Sequence, residues 1–194
     1  MGYGNVVTTN PSPAIVGNTN VLLCTLDIRF HELLMTDAVI YSGFYTRTTS
    51  TVLRSLRDLL AAIDKGYDIV HLFSFVSPAG MITDDTGNAI DGVSLIQRCY
   101  NSGVKLLWIA SDNKADTYIK HFKAPGIPIN LVMTIDRRGS RFTSFLQALL
   151  FRLSQGEAMS GAWVALSPQS PRDPKHQDLP VTVLAVSQGA LRFR

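Results

Sequence analysis

Ser111 is the residue whose type and position first suggest covalent chemistry. It directly follows an apolar run at residues 104–110 and precedes Asp112 and Asn113. A serine hydroxyl attacks a carbonyl carbon only when a general base within hydrogen-bond reach takes its proton. The Gly-x-Ser-x-Gly frame of a nucleophile elbow is absent around this serine. Ser111 is therefore either a hydrolase nucleophile of another kind or part of a polar loop that leads into the next helix.

The histidines offer no obvious base for that serine. His71 lies in the middle of the apolar run at residues 67–75, and we expect it to be a core residue. His31 and His121 fall in segments with a helical pattern, and His176 lies in a proline-rich loop. A general base has to lie beside the group that it deprotonates. Since none of these histidines is expected at a strand end, the residues alone predict a fold without a convincing active site, unless Asp112, His71 or His121 assists Ser111 from a distance.

No metal site and no cofactor are predicted. Cys24 and Cys99 lack metal-ligand spacing, and we expect two buried thiols in a reducing compartment. The acidic group Asp84, Asp85 and Asp91 lacks the spacing and the final glutamate of a calcium loop, which favours a solvated turn. No glycine-rich phosphate-binding loop follows any predicted strand.

Apolar runs that alternate with helical patterns provide the elements that position these residues. Strands are predicted at residues 20–26, 38–45, 67–75, 104–110 and 128–135. Helices are predicted from residue 50 or 51 to 65 and at residues 93–101, 115–122, 140–153 and 157–166. The turn formers at residues 84–88 are expected to join two short strands, and residues 181–186 and 191–193 are expected to close the sheet as a hairpin around Gln188 and Gly189.

This alternation predicts the α/β class, in which helices cover both faces of a mostly parallel central sheet. Ligands of such sheets bind at the carboxyl ends of the strands. The segments of interest are therefore the residues at or just after the ends of three predicted strands: Ser74, Phe75 and Val76; Ser111, Asp112 and Asn113; Asp136 and Arg137.

Two of these strands resemble those of the CHAT family, a caspase-like group of bacterial cysteine proteases. Members carry a buried strand of the form Asp-Val-Val-His-Leu-x-x-His-Gly and, after a helix, a second strand that ends in Ala-Cys. Residues 68–74, Asp-Ile-Val-His-Leu-Phe-Ser, are similar to the first strand, and residues 106–110, Leu-Leu-Trp-Ile-Ala, are similar to the second. The order of the later strand and helices is also similar, so the resemblance spans residues 67–167. It implies a caspase-like, three-layer α/β/α fold.

The resemblance also implies that both catalytic residues are missing. Phe75 and Val76 stand where the family has its catalytic histidine and glycine, and Ser111 stands where it has the nucleophilic cysteine. A serine is hardly ionised without a base, and phenylalanine cannot supply one. We therefore expect a catalytically inactive pseudo-protease that acts as a protein-binding or regulatory subunit, with a protein partner or a second copy as its ligand. The possible binding residues are Asp112, Asn113, Arg137, Arg138 and Arg141.

Length and composition agree with one domain and with a partner. Residues 1–18 are expected to form a flexible arm and residues 19–194 a single domain. No segment has the pattern of a signal peptide or of a membrane span, so a cytoplasmic location is expected. Charged residues make up 17% of the chain, below the ~25% that is usual for soluble domains. A surface with so little charge favours partial coverage by a partner.

Uneven charge leaves a second alternative open. Residues 1–113 carry 7 Lys and Arg against 10 Asp and Glu, a net charge of −3, whereas residues 114–194 carry 11 against 5, a net charge of +6. A basic half is found in some nucleic-acid-binding domains. No stripe of basic and aromatic residues accompanies it, so a nucleic-acid-binding accessory domain that uses Arg137, Arg138 and Arg141 is less favoured than the protein-binding role.

Overall fold

The computed structural model describes residues 14–16, 18–111, 115–124, 126–127, 129–134, 140–166, 182–186 and 191–193. Its strands are β1 (Ala14–Val16), β2 (Asn20–Thr25), β3 (Arg47–Val52), β4 (Ile69–Phe73), β5 (Met81–Thr83), β6 (Ala89–Asp91), β7 (Leu106–Ala110), β8 (Asn130–Thr134), β9 (Thr182–Val186) and β10 (Leu191–Phe193). Its helices are α1 (His31–Ser42), α2 (Leu56–Ile63), α3 (Gly92–Asn101), α4 (Ala115–His121), α5 (Ser140–Ser154) and α6 (Met159–Leu166).

The central sheet has six strands in the order β3-β2-β4-β7-β8-β9. The first five are parallel, and β9 runs antiparallel to β8. The prediction that β4, β7 and β8 are parallel neighbours is therefore confirmed, as is the α/β fold class. The turn formers at residues 84–88 join the antiparallel pair β5 and β6, as expected.

Each face of the sheet carries its own apolar core. On β2, Val21 and Leu23 point into one core, and Leu22 and Cys24 point into the other. The first core lies beneath α1, α5 and α6, and the second lies beneath α2 and α3. Because β4 and β7 are covered on both faces, all of their residues are buried, which explains why their sequences are apolar apart from His71.

The strand predicted at residues 38–45 is wrong, because this run lies in α1 and the turn after it. The buried side chains Leu34, Ala38 and Tyr41 recur every three or four residues, which is the period of a helix face. Ile40 and Phe44 are partly buried beside that face. They make the run look continuous and hide the helical period.

The helix predicted from residue 50 or 51 also begins too early. Residues 47–52 form β3, whose threonines are β-branched and favour strands. The hydroxyl that caps the helix belongs to Ser55, which accepts a hydrogen bond from the backbone N–H of Asp58, and α2 begins at Leu56.

The C-terminal hairpin is wrong as well. β9 pairs with β8 in the central sheet, whereas β10 pairs with β1 in a separate two-stranded parallel sheet. β1 lies inside residues 1–18, the segment expected to form a flexible arm, and residues 1–13 lie outside the described part of the chain. No described helix is long and apolar enough to span a membrane.

Candidate functional site

The residues that directly follow β2, β4 and β7 meet at one end of the sheet, which we call the carboxyl edge. Phe73 pairs with Ala110 across β4 and β7. One residue further, the backbone N–H of Ser74 donates to the carbonyl oxygen of Ala110 at 3.1 Å. Ser74 and Ser111 are therefore the first residues beyond the paired strands, and Phe75 follows Ser74. The structure thus brings the two positions singled out from the sequence, Phe75 and Ser111, to the same edge.

The two positions differ sharply in exposure. Ser111 is only 1% exposed, whereas Phe75 is 50% exposed. Ser74 and Val76, on either side of Phe75, are buried, and the Ser74 hydroxyl donates to the carbonyl oxygen of Phe75 at 3.3 Å. The carboxyl edge thus presents an aromatic ring to solvent and shields the serine hydroxyl beside it.

His71 is a core residue, as predicted. Its side chain is fully buried and stacks on Phe73 and Trp108, with ring centroids 4.4 Å and 4.9 Å away. Burial lowers the pKa of His71 to about 3, because the apolar surroundings disfavour the charged imidazolium. It pairs in register with Trp108, three residues before Ser111, which places it away from the serine along the strands.

Both cysteines are buried free thiols, as expected. Burial raises the pKa of Cys99 to about 12 and that of Cys24 above its ordinary value. A thiol reacts and binds metals as the thiolate, so neither side chain is an activated nucleophile. Within the described residues, no three His, Cys, Asp or Glu side chains are grouped to hold a metal ion.

His121, the last residue of α4, packs against the loop that follows β4. A Cβ atom added to Gly80 would lie 2.2 Å from Cβ of His121, so glycine permits this close approach. Gly80 also has a φ of +77°, a conformation that favours glycine. Of the histidines proposed to assist Ser111, His121 is thus the one that contacts the loop after β4.

Asp84 is not the solvated turn residue that the sequence predicts. It is buried, and its carboxylate accepts hydrogen bonds from the backbone N–H groups of Leu56, Thr86 and Asn88. The hydrogen bond from the Leu56 N–H is the largest cause that holds the pKa of Asp84 far below its usual range. A hydrogen bond from the Thr86 hydroxyl is the next largest. Because Leu56 is the first residue of α2, Asp84 links the β5–β6 hairpin to the start of that helix.

A charged pair that was not predicted from the sequence lies at the carboxyl edge. Thr25 pairs with Phe73 across β2 and β4, so Asp27 and Phe75 each lie two residues beyond the paired ends of neighbouring strands. Arg29 Nε donates to Asp27 Oδ2 at 2.8 Å, and this hydrogen bond is the main cause that lowers the pKa of Asp27. The Arg29 side chain is 78% exposed. The rule applied to the other strands, inspection of the residues just after each one, would have found this pair at the end of β2.

Several predicted binding residues lie outside the described part of the chain. These are Asp112, Asn113, Arg137 and Arg138. Arg141 lies in α5, but its side chain is not described. Their proposed roles stay predictions.

Comparison with known proteins gives no match to a protein-family model and none to a curated protein sequence. Solved structures do match. The structure of pro-sf-caspase-1 has a TM-score of 0.55 at 11% identity, over 94% of this chain and 96% of that one. The crystal structure of caspase-1 from Spodoptera frugiperda has a TM-score of 0.50 at 13% identity, over 99% of this chain and 95% of that one. At this identity the likeness concerns the fold alone, and the fold of this chain is caspase-like.

Proposed function

We propose that this chain is a catalytically inactive, caspase-like domain that acts by binding another protein. The observation that supports this most is the pair of residues at the carboxyl edge. At the positions where the CHAT resemblance expects histidine and cysteine, the chain has the half-exposed Phe75 and the buried Ser111. A ring without a proton-accepting atom cannot activate a nucleophile.

The chemistry of the surrounding groups supports the inactive state. His71 is the histidine nearest in sequence to the edge, yet it is buried and neutral, and its ring is occupied by aromatic stacking. The two thiols, Cys24 and Cys99, are buried and protonated. A nucleophile needs either an adjacent base or a lowered pKa, and none of these three side chains provides one.

The exposed groups at the same edge support binding. Phe75 offers an aromatic surface, and the Asp27–Arg29 pair follows the neighbouring strand β2 at the same end of the sheet. Aromatic and arginine side chains contribute more than their share to the energy of protein interfaces. We therefore assign the partner-binding surface to Phe75 and its neighbours on this edge.

Capture of a partner from a lysate of the source cells tests this assignment. The immobilised wild type, Phe75→Ala and Phe151→Ala proteins are compared, because Phe151 is also exposed, at 56%, but lies on α5. We expect a partner that the wild type and Phe151→Ala retain and that Phe75→Ala loses. Equal capture by all three proteins contradicts the assignment.

A hydrolase that uses Ser111 is the second candidate, and the position of His121 favours it. Of the histidines considered as a base for Ser111, His121 is the one that contacts Gly80 in the loop after β4. If His121 is the base, His121→Ala abolishes any Ser111-dependent hydrolysis of ester substrates. Hydrolysis that persists in both His121→Ala and Ser111→Ala rejects this candidate.

A further inference from the structure

The lateral edge of the central sheet at β3 offers an unpaired strand. β3 is the terminal strand of the central sheet, and no described strand pairs with its outer side. The backbone N–H of Leu53 donates to the carbonyl oxygen of Thr25 at 2.8 Å, which fixes the direction of the alternating backbone groups. Because successive residues of a strand point their N–H and C=O groups to opposite sides, every second residue before Leu53, starting with its direct neighbour, points these groups away from β2. These are Thr48, Ser50 and Val52.

An unpaired strand of this kind is a template for another strand. Charges and prolines commonly block such edges, but the six residues of β3, Arg-Thr-Thr-Ser-Thr-Val, contain no proline and one charge at the first position. Most of the strand is exposed. The edge is thus open to backbone pairing along its length.

A groove runs beside this strand. It has a volume of about 430 Å³ and lies between β3 and α2. Thr49 and Thr51 line the strand side, Ala61 and Lys65 line the helix side, and Leu22 belongs to the lining as well. A strand added to β3 would therefore place every second side chain over this groove, which is the geometry of peptide recognition by strand addition.

The charges around the edge indicate the chemistry of the added strand. Arg47, Arg54 and Lys65 are exposed and form no ion pair within the described residues, and Arg54 and Lys65 line the groove. The acidic lining residue, Asp58, accepts a hydrogen bond from the Ser55 hydroxyl. Two copies of this chain paired through β3 would bring their cations together, which opposes such pairing. An acidic segment would instead be attracted.

We propose that an extended, acidic segment of a partner protein pairs with the outer side of β3 as a seventh strand, with acidic side chains facing Arg54 and Lys65. The inference goes beyond the function proposed above, because it concerns a different surface of the sheet. It does not involve Phe75 or Ser111.

The probe is a fluorescein-labelled, acetylated heptapeptide of alternating glutamate and valine, measured by fluorescence anisotropy. Its counterpart has lysine in place of glutamate. We expect the glutamate peptide to bind at least about tenfold more tightly than the lysine peptide, and its affinity to fall as salt rises. Absence of binding, or equal binding of the two peptides, overturns the proposal.

Ser50→Pro tests the backbone pairing. Because the N–H of Ser50 points outward, proline removes a group that a new strand needs without breaking a hydrogen bond to β2. We expect Ser50→Pro to weaken binding by about tenfold or more, whereas the matched variant Ser50→Ala, which keeps the N–H, binds like the wild type. Unchanged binding by a folded Ser50→Pro protein overturns the proposal.

A charge-reversed variant, Arg54→Glu with Lys65→Glu, gives an independent test if Ser50→Pro does not fold. Loss of binding in this variant supports the proposal, and retained binding overturns it. A concentration-dependent dimer in sedimentation experiments that Ser50→Pro abolishes assigns the edge to a second copy and also overturns it. Phe75→Ala should bind the peptide normally. A failed test of peptide binding at β3 can therefore be told apart from a failed test of partner binding at Phe75.

Discussion

The Nε2 atom of His71 lies 4.0 Å from the Oδ2 atom of Asp37, and neither side chain is exposed to solvent. The carboxyl group favours a proton on the ring, whereas burial disfavours the charged imidazolium. The pKa of His71, lowered to about 3 by burial, means that burial outweighs the attraction at this distance. The fold therefore holds a neutral imidazole in its aromatic core.

This neutral ring predicts a loss of stability in acid. Between its ordinary pKa of 6.5 and about 3, the unfolded chain binds a proton at His71 that the folded chain excludes. The free energy of unfolding therefore falls as pH falls through this window, by up to about 1.4 kcal/mol per pH unit from this group. We expect His71→Phe to show a shallower decrease than the wild type in urea denaturation between pH 6.5 and 4.5. Identical slopes would contradict a neutral His71.

Truncation of Leu107 should leave a cavity in the second core and lower the stability of the protein. It is 0% exposed on β7, so Leu107→Ala should lower the free energy of unfolding by about 2–5 kcal/mol. Val93, on the surface of α3, is the matched position, and Val93→Ala should change it by less than about 0.5 kcal/mol. Chemical denaturation measures both. Equal, small effects would show that β7 is not packed as described.

Gly92 lies so close to the ring of Phe122 that any larger residue should clash with it. A Cβ atom at Gly92 would lie 2.6 Å from the ring of Phe122, whereas one at Gly161 in α6 would have its nearest neighbour at 3.7 Å. Gly92→Ala should destabilise the protein by about 1–3 kcal/mol, and Gly161→Ala should stabilise it by up to about 1 kcal/mol through helix propensity. Replacing Phe122 with Leu should restore part of the loss in Gly92→Ala. A Gly92→Ala protein as stable as the wild type would contradict this contact.

The carboxylate of Asp84 should stabilise the junction between the β5–β6 hairpin and α2. Asp84→Asn keeps the size of the side chain but removes the charge that the N–H groups of Leu56 and Asn88 donate to. We expect a lower melting temperature and faster proteolysis within residues 81–91, with little effect of Asp85→Asn, since Asp85 is exposed. If the two variants melt together, Asp84 does not stabilise this junction.

The strands of the sheet centre were predictable because burial on both faces leaves a direct mark on the sequence. β4 and β7 are apolar between turn formers, apart from His71 in β4, and helical patterns between the strands predict their parallel pairing. α1 was not recognised, because its partly buried residues fill the gaps in the helical pattern. β3 was not recognised either, because an exposed edge strand such as Arg47–Val52 lacks an apolar pattern.

The candidate site was predictable only in part, for a related reason. Strand ends can be located once strands are known, and this brought Phe75 and Ser111 together. The role of Asp84 depends on Leu56, 28 positions earlier in the chain, and no local pattern encodes such a long-range bond. The pair Asp27–Arg29 was accessible from the sequence, but its relevance depends on β2 lying next to β4.

The last prediction is that Ser111 does not react as a nucleophile. Acyl transfer needs a nucleophile, a base and donors for the oxyanion. Oxyanion donors alone are worth about 10²–10³ in rate, far less than a working enzyme requires, and Phe75 offers no base. Incubation with a fluorophosphonate should therefore leave the intact mass unchanged, while a known serine hydrolase treated in parallel is labelled. One label per chain that disappears in Ser111→Ala would establish the hydrolase candidate and overturn the inactive, protein-binding assignment.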